Sequence, residues 1–272
     1  MSTTPNHVLN LDGLSVDVPG RRLVDGLTAR FGPGEFVAIL GRNGTGKTMT
    51  MLTLAGLRDS SGGTVSIDEV PVAAMTRRDI SLKLALLPQT VDDIFPATVL
   101  ETALIGRHPH IGALRWETDT DRDIATKALS AVGMADLATR DVLTLSGGER
   151  RRLAIAQVLA QSPSIYLLDE PTNHLDPQHQ MDALALFRGI ADNGGTVIAS
   201  LHDVNMAARF ADRCLLLYGD GRWELGSRDE VLDETRLARL YDTPMEAVSW
   251  RSRTLFVAGE RDQPTNPDSF SR

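Results

Sequence analysis

Four short runs, EFVAIL (35–40), SIYLLD (164–169), GTVIASL (195–201) and RCLLLY (213–218), are apolar almost throughout. Runs of this length suit strands covered on both faces, as in a parallel sheet. Helix-like segments lie between them, so the pattern predicts an α/β unit. Upstream, LNLDGLSVDV (9–18) and RLVDGLTARF (22–31) alternate apolar and polar residues around a Pro-Gly-Arg turn, which predicts an antiparallel flap. Between about Thr90 and Thr144 the strand pattern stops, and Ile124, Ala128, Leu129 and Val132 recur at helical spacing. That change predicts a helical subdomain, about residues 90–160, inserted into the α/β body. After Gly226, Ser227 is placed to cap a short helix, and ETRLARLY (234–241) sets Leu237, Leu240 and Tyr241 on one face. Strand-like pieces follow around AVSW and TLFV. Residues 8–256 read as one domain without internal repeats, and 1–7 and 257–272 as flexible polar tails.

Composition narrows the class. Basic residues number 28 against 36 acidic, a net charge of −8, which disfavours a dedicated nucleic-acid binder. The longest uncharged stretch, Leu153 to Leu168, is broken by Gln157, Gln161, Ser162 and Pro163, and no run reaches the ~20 apolar residues that span a bilayer. The N-terminus lacks the basic and apolar regions of a secretory signal, so the chain is expected to stay in the cytoplasm. Cys214, the single cysteine, precedes LLLY and reads as a buried core thiol.

The chemistry starts where EFVAIL runs into Gly41-Arg42-Asn43-Gly44-Thr45-Gly46-Lys47-Thr48 and then a helix-like MTMLTLAGL ending near Gly56. This is the phosphate-binding loop GxxxxGK[ST] in its required order of strand, loop and helix. Glycines at 41, 44 and 46 let backbone N–H groups face an anion beside a helix N-terminus. Lys47 would place a point charge on the β- and γ-phosphates, and the Thr48 hydroxyl would serve Mg²⁺. The fold class is therefore a P-loop NTPase core with the flap and helical insertion added. A second element is IYLLDE (165–170): Asp169 at a strand end can reach Mg²⁺ through water, and Glu170 can polarise an attacking water.

Leu145-Ser146-Gly147-Gly148-Glu149 precedes the helix-like RRRLAIAQVLAQ. With this signature the sequence resembles the ATP-binding cassette (ABC) family, and further motifs lie in the family's order: Gln89 in LALLPQT, His174-Leu175-Asp176, and His202 in VIASLHDVN. The resemblance implies that Gln89, Glu170 and His202 are catalytic, that Thr48, Gln89 and Asp169 form the Mg²⁺ shell, and that Asp176 belongs to the D-loop. It also implies that Ser146, Gly147, Gly148 and Glu149 serve ATP bound by a second copy, in a head-to-tail homodimer enclosing two ATP molecules. The signature makes physical sense by itself as a second anion-binding helix end. Arg150 to Arg152 read as a solvated helix face. Where the family stacks an aromatic residue on adenine, this chain has Val18, which implies loose selectivity for the nucleotide base.

A single cassette with no spanning helix implies an ATPase subunit docked on a separate transmembrane permease dimer, on the cytoplasmic face of the bacterial inner membrane, served indirectly by a substrate-binding protein. The region after Gln89, with GRHPH and RWE, resembles the importer group for iron-siderophores, haem and cobalamin, most of all the cobalamin-transport ATPases. His108 and His110 fit a docking loop better than a metal site. The competing class is a soluble ABC ATPase acting on protein or nucleic-acid machinery.

Overall fold

The computed structural model describes residues 7–90, 96–112, 115–251 and 253–260. The chain begins with β1 (Leu9–Val18), β2 (Arg21–Phe31) and β3 (Phe36–Leu40), followed by α1 (Lys47–Leu54), β4 (Gly62–Ile67), β5 (Val70–Pro71), α2 (Arg77–Lys83) and β6 (Leu84–Leu87). Helices α3 (Val99–Leu104), α4 (Asp119–Ala131) and α5 (Gly147–Gln161) come next. The α/β pattern then resumes with β7 (Ile165–Asp169), α6 (Pro177–Asp192), β8 (Thr196–Ser200), α7 (Val204–Phe210), β9 (Arg213–Leu217) and β10 (Trp223–Ser227). The last elements are α8 (Arg228–Val231), α9 (Glu234–Tyr241), β11 (Met245–Trp250) and β12 (Arg253–Ala258).

The central sheet has the order β10-β9-β3-β8-β7-β6. Its five members from β9 to β6 are parallel, and β10 is an antiparallel edge strand. Every residue of β3, β7 and β8 is buried, the expected result for strands apolar on both faces. The period of two splits β3 between two cores. Phe36, Ala38 and Leu40 join the layer containing α5, α6 and α7, while Val37 and Ile39 face α1 and the flap. In that flap β1 and β2 pair antiparallel across the turn at Gly20, as expected, and β1 also pairs with β4. Cys214 is fully buried against the first of these layers, and burial pushes its thiol up to about 12.

Helices α3, α4 and α5 share a third apolar cluster between β6 and β7 in the chain. On α4, Ala128 and Leu129 of the expected stripe are buried and Val132 packs half-buried against the cluster, but Ala125 takes the buried place expected of Ile124, which is only half-buried. Helix α5 belongs to two layers at once. Leu153, Ala156 and Ala160 face the helical cluster, and Ala154, Ile155 and Val158 face the sheet. A buried ion pair ties the three helices: Arg107 Nε donates to Asp121 Oδ1 at 2.9 Å, and Arg107 Nη1 donates to the Ala160 carbonyl at 2.7 Å. The expected tails fall largely on residues 1–6 and 261–272, outside the described residues. Among the described residues no helix is long and apolar enough to cross a membrane.

Asp121 also accepts from the hydroxyl and backbone N–H of Thr118; these bonds, with the Arg107 charge, hold its carboxyl down at about 2. Its stabilising contribution is therefore complete above the ordinary carboxylate range near pH 4 and is lost as the pH falls towards 2. Asp121→Ala leaves the Arg107 guanidinium buried without its partner and should cost about 3 kcal/mol. Thermal unfolding at neutral pH checks this; a change below about 1 kcal/mol would contradict the pairing.

Candidate active site

Because β8 lies between β3 and β7, the C-terminal ends of these three parallel strands bring three distant sequence segments side by side, the usual location of a site in such sheets. The loop after β3 runs from Gly41 to Gly46, and Lys47 opens α1. A Cβ on Gly41 would lie 2.5 Å from Thr45 Oγ1 and 2.6 Å from the Leu217 carbonyl. Gly46 has φ of +106° and no room against Leu23. Only glycine fits either position. Lys47 is buried, and its ammonium donates to the carbonyls of Gly41 at 2.9 Å and Arg42 at 3.3 Å. Burial lowers its pKa, against the opposing pull of Glu170 and Asp169. Thr48 is half-buried in the first turn of α1, whereas Arg42, Asn43 and Gly44 are exposed.

At the end of β7, Asp169 and Glu170 are 2% and 5% exposed. Two adjacent carboxylates in the interior require partners. Ser200, the last residue of β8, supplies one: its Oγ donates to Asp169 Oδ1 at 2.6 Å and accepts the Glu170 N–H at 2.9 Å. Glu170 Oε2 accepts from Gln89 Nε2 at 2.7 Å and from the Asn173 amide, and Oε1 lies 2.6 Å from His202 Nε2. Burial works to raise the Glu170 pKa, but the bonds from His202 and Asn173 and the charges of His202 and Lys47 hold the carboxyl below its usual range. The structure thus gathers Gln89, Glu170 and His202 into one hydrogen-bonded set beside Lys47.

Ser146 and Glu149 form a capping box on α5: the Ser146 Oγ accepts the Glu149 N–H at 3.3 Å, and Glu149 Oε2 accepts the Ser146 N–H at 2.8 Å. The box leaves the Gly147 and Gly148 N–H groups without a partner inside the helix. Ser146 and Gly147 are exposed. Asp176 caps α6, accepting the His179 N–H at 2.9 Å. Val18 is half-buried at the end of β1 and pairs with Arg21, whose Nε donates to the Gly219 carbonyl at 2.7 Å beside the phosphate loop.

The three arginines at the start of α5 are not one solvated face. Arg151 is 4% exposed and donates to the carbonyls of Asp169, Glu170, Pro171, Pro88 and Gln89. Burial lowers its pKa to about 10. The spacing Arg151, Ala154, Ile155, Val158 follows the buried stripe of α5, and that periodicity was the available signal. Ser200 and Asn173 are also absent from the sequence expectations. Ser200 is a polar residue closing an apolar strand, and its burial demanded a partner.

A phosphate loop after β3 and an acid pair at the end of β7, one strand apart in a parallel sheet, define a P-loop nucleoside-triphosphatase. The family model described as ABC transporter matches residues 24–173, and the chain belongs to that family. A hemin import ATP-binding protein, HmuV, of Gloeobacter violaceus is 40% identical over 232 residues, covering 83% of this chain and 84% of that protein. A cobalamin import ATP-binding protein, BtuD, of Halobacterium salinarum is 37% identical over 236 residues, 86% of this chain and 58% of that protein, so the chain spans little more than half of that relative. A solved structure described as an inward-facing, metal-chelate type ABC transporter superposes with a TM-score of 0.82 at 26% identity, covering 94% of this chain and 98% of that one.

Removing the Asn173 amide takes away one of the bonds that hold the Glu170 carboxyl low. Asn173→Ala should therefore raise the Glu170 pKa and move the acid limb of the pH–rate profile of ATP hydrolysis to higher pH. A profile with an unmoved acid limb would show that Asn173 does not tune this carboxylate.

Proposed function

We propose that this chain is the ATP-hydrolysing subunit of a bacterial importer, working as a homodimer on a transmembrane permease dimer at the cytoplasmic face of the membrane. Residues 8–256 act as one cassette, with residues 90–160 as its helical subdomain. The observation that carries the reading is the convergence of Gln89, His202 and buried Lys47 on the Glu170 carboxylate. A solvated acid at a strand end would need none of these groups.

The roles follow from position. The backbone of residues 41–48 cradles phosphate oxygens, and Lys47 adds a fixed positive charge where the β- and γ-phosphates lie. Packing admits only glycine at 41 and 46, which keeps the loop on the tight course that lets its backbone N–H groups face one anion. Thr48, Gln89 and Asp169 offer hard oxygen donors with a single negative charge between them, which suits Mg²⁺ that keeps some waters and takes the rest of its shell from phosphate. When bound, Mg²⁺-ATP supplies the phosphoryl group and the cation that neutralises its charge. Glu170 accepts a proton from the attacking water; its low pKa keeps it ionised and ready at neutral pH. His202 holds the water and the γ-phosphate in line, and Gln89 senses the cation and fixes the carboxylate. Ser146, Gly147, Gly148 and Glu149 present a helix N-terminus to the nucleotide held by the second copy, and Asp176 stands near that contact. A single copy therefore carries two half-sites.

The cargo class rests on resemblance: relatives named for hemin and for cobalamin import, together with the metal-chelate type structure, support a cobalamin, haem or iron-siderophore importer with a substrate-binding protein upstream. The absence of a long apolar helix among the described residues accords with spanning segments contributed by another chain.

Glu170→Gln should lower ATP turnover by at least about 100-fold while ATP affinity stays within a few-fold, and should leave a Mg²⁺-ATP-bound dimer visible by size exclusion. Retained turnover would remove Glu170 from the reaction, and a variant that stays monomeric at saturating Mg²⁺-ATP would remove the shared site. In cells, uptake of labelled cobalamin, haem and ferric siderophore should fall for one of the three when the chain is deleted; unchanged uptake of all three would overturn the importer assignment.

A further inference from the structure

The unexpected burial of Arg151 has a mechanical meaning. Its five acceptors are all backbone carbonyls, and they come from both segments that flank the acid cluster. Nη2 donates to the carbonyls of Asp169 and Glu170, each at 2.7 Å, and Nε to that of Pro171 at 3.3 Å. Nη1 donates to the Pro88 carbonyl at 2.6 Å and to that of Gln89 at 3.4 Å. Glu170 sits at φ +50°, a left-handed conformation that a non-glycine residue adopts only when its surroundings impose it. Two consecutive carbonyls turned onto one guanidinium nitrogen are such an imposition.

The guanidinium lies under the backbone, so it has no need to touch substrate to matter. We infer that Arg151 is a positioning residue: it locks the left-handed backbone at Glu170 and the backbone at Gln89 into one frame with α5, so that the Glu170 carboxylate points where Gln89 and His202 meet it. The inference rests on the catalytic reading of Glu170 given above. Because Arg151 stands five residues after Ser146 on the same helix, the signature end of α5 and the general base belong to one rigid unit. Nucleotide contact by a second copy at Ser146 is thereby mechanically joined to the chain's own base. Other side chains cannot reproduce this: Met fills the space but donates nothing, and Lys offers one compact nitrogen where five carbonyls need a planar fork.

The test is steady-state ATP hydrolysis by the full-length chain, with Arg151→Met, Arg151→Lys and Arg151→Ala beside the wild type and Lys47→Ala. A displaced base predicts a kcat lower by about 30- to 100-fold in Arg151→Met with KM changed by less than about threefold, and a smaller loss in Arg151→Lys. Millimolar guanidinium ion added to Arg151→Ala should restore part of kcat, which a general loss of stability would not allow. Cooperative thermal unfolding identifies the variants whose rates are read, and Arg151→Lys keeps the test decisive if the smaller side chains fail to fold. A kcat within about threefold of wild type in a folded Arg151→Met, or an Arg151→Ala rate that guanidinium leaves unmoved, would overturn the positioning role. Lys47→Ala separates the two readings: if it too hydrolyses ATP normally, the phosphate-loop mechanism itself is wrong, whereas its inactivity beside active Arg151 variants removes only the role of Arg151.

Discussion

Two carboxylates side by side in the protein interior are the constraint from which the rest of this architecture follows. Asp169 and Glu170 close β7 almost without solvent contact, and an ionised carboxylate in such a place is tolerated only when its oxygens are taken by donors and its charge is answered. The sheet order answers it. Placing β8 next to β7 puts Ser200 against Asp169, and the residue two positions on, His202, against Glu170. Placing β3 on the far side of β8 brings Lys47 within electrostatic reach, and placing β6 on the other flank of β7 delivers Gln89. Strands β6, β8 and β3 thus each contribute at least one group from beyond or at their C-terminal ends. The same donors that make the acid pair tolerable hold Glu170 ionised, so the stability requirement and the chemistry proposed for Glu170 are met by one set of contacts.

Much of this was legible in the sequence because the decisive strands are apolar on both faces. EFVAIL, SIYLLD, GTVIASL and RCLLLY could hardly be placed elsewhere than in a covered parallel sheet, and each appears there. The phosphate loop was legible for a different reason: its glycine spacing is a steric requirement, visible as the atoms crowding Gly41 and Gly46. Shorter elements escaped. Strand β6 is four residues, LALL, a run that periodicity cannot separate from a piece of helix. Strand β4 starts with two glycines and owes its place to pairing with β1. On α4 the helix was foreseen, but Ala125 and not the larger Ile124 joins the apolar cluster shared with α3 and α5.

Site contacts between distant segments were the least legible from residues alone. Gln89 and Glu170 are 81 positions apart and meet only because β6 and β7 are neighbours; their common role entered through resemblance to a family. Arg151 shows the opposite case, in which a local reading failed although the information was present. Three consecutive arginines look like a solvated face, yet only one of them lies on the stripe continued by Ala154, Ile155 and Val158, and that one is buried. Charge runs on helices are better read position by position against the apolar period than as a block.

With the proposed function each copy is incomplete: the phosphate loop and acid cluster sit in one half-site, and the Gly147 and Gly148 N–H groups at the head of α5 sit in another. The most direct measurement is a structure of the wild-type chain with Mg²⁺ and a non-hydrolysable ATP analogue. The expected result is a two-fold dimer with each γ-phosphate within hydrogen-bond distance of Lys47 and His202 of one copy and of Ser146 and Gly148 of the other. A nucleotide held entirely within one copy, with the signature end of α5 facing solvent in a saturated dimer, would contradict it.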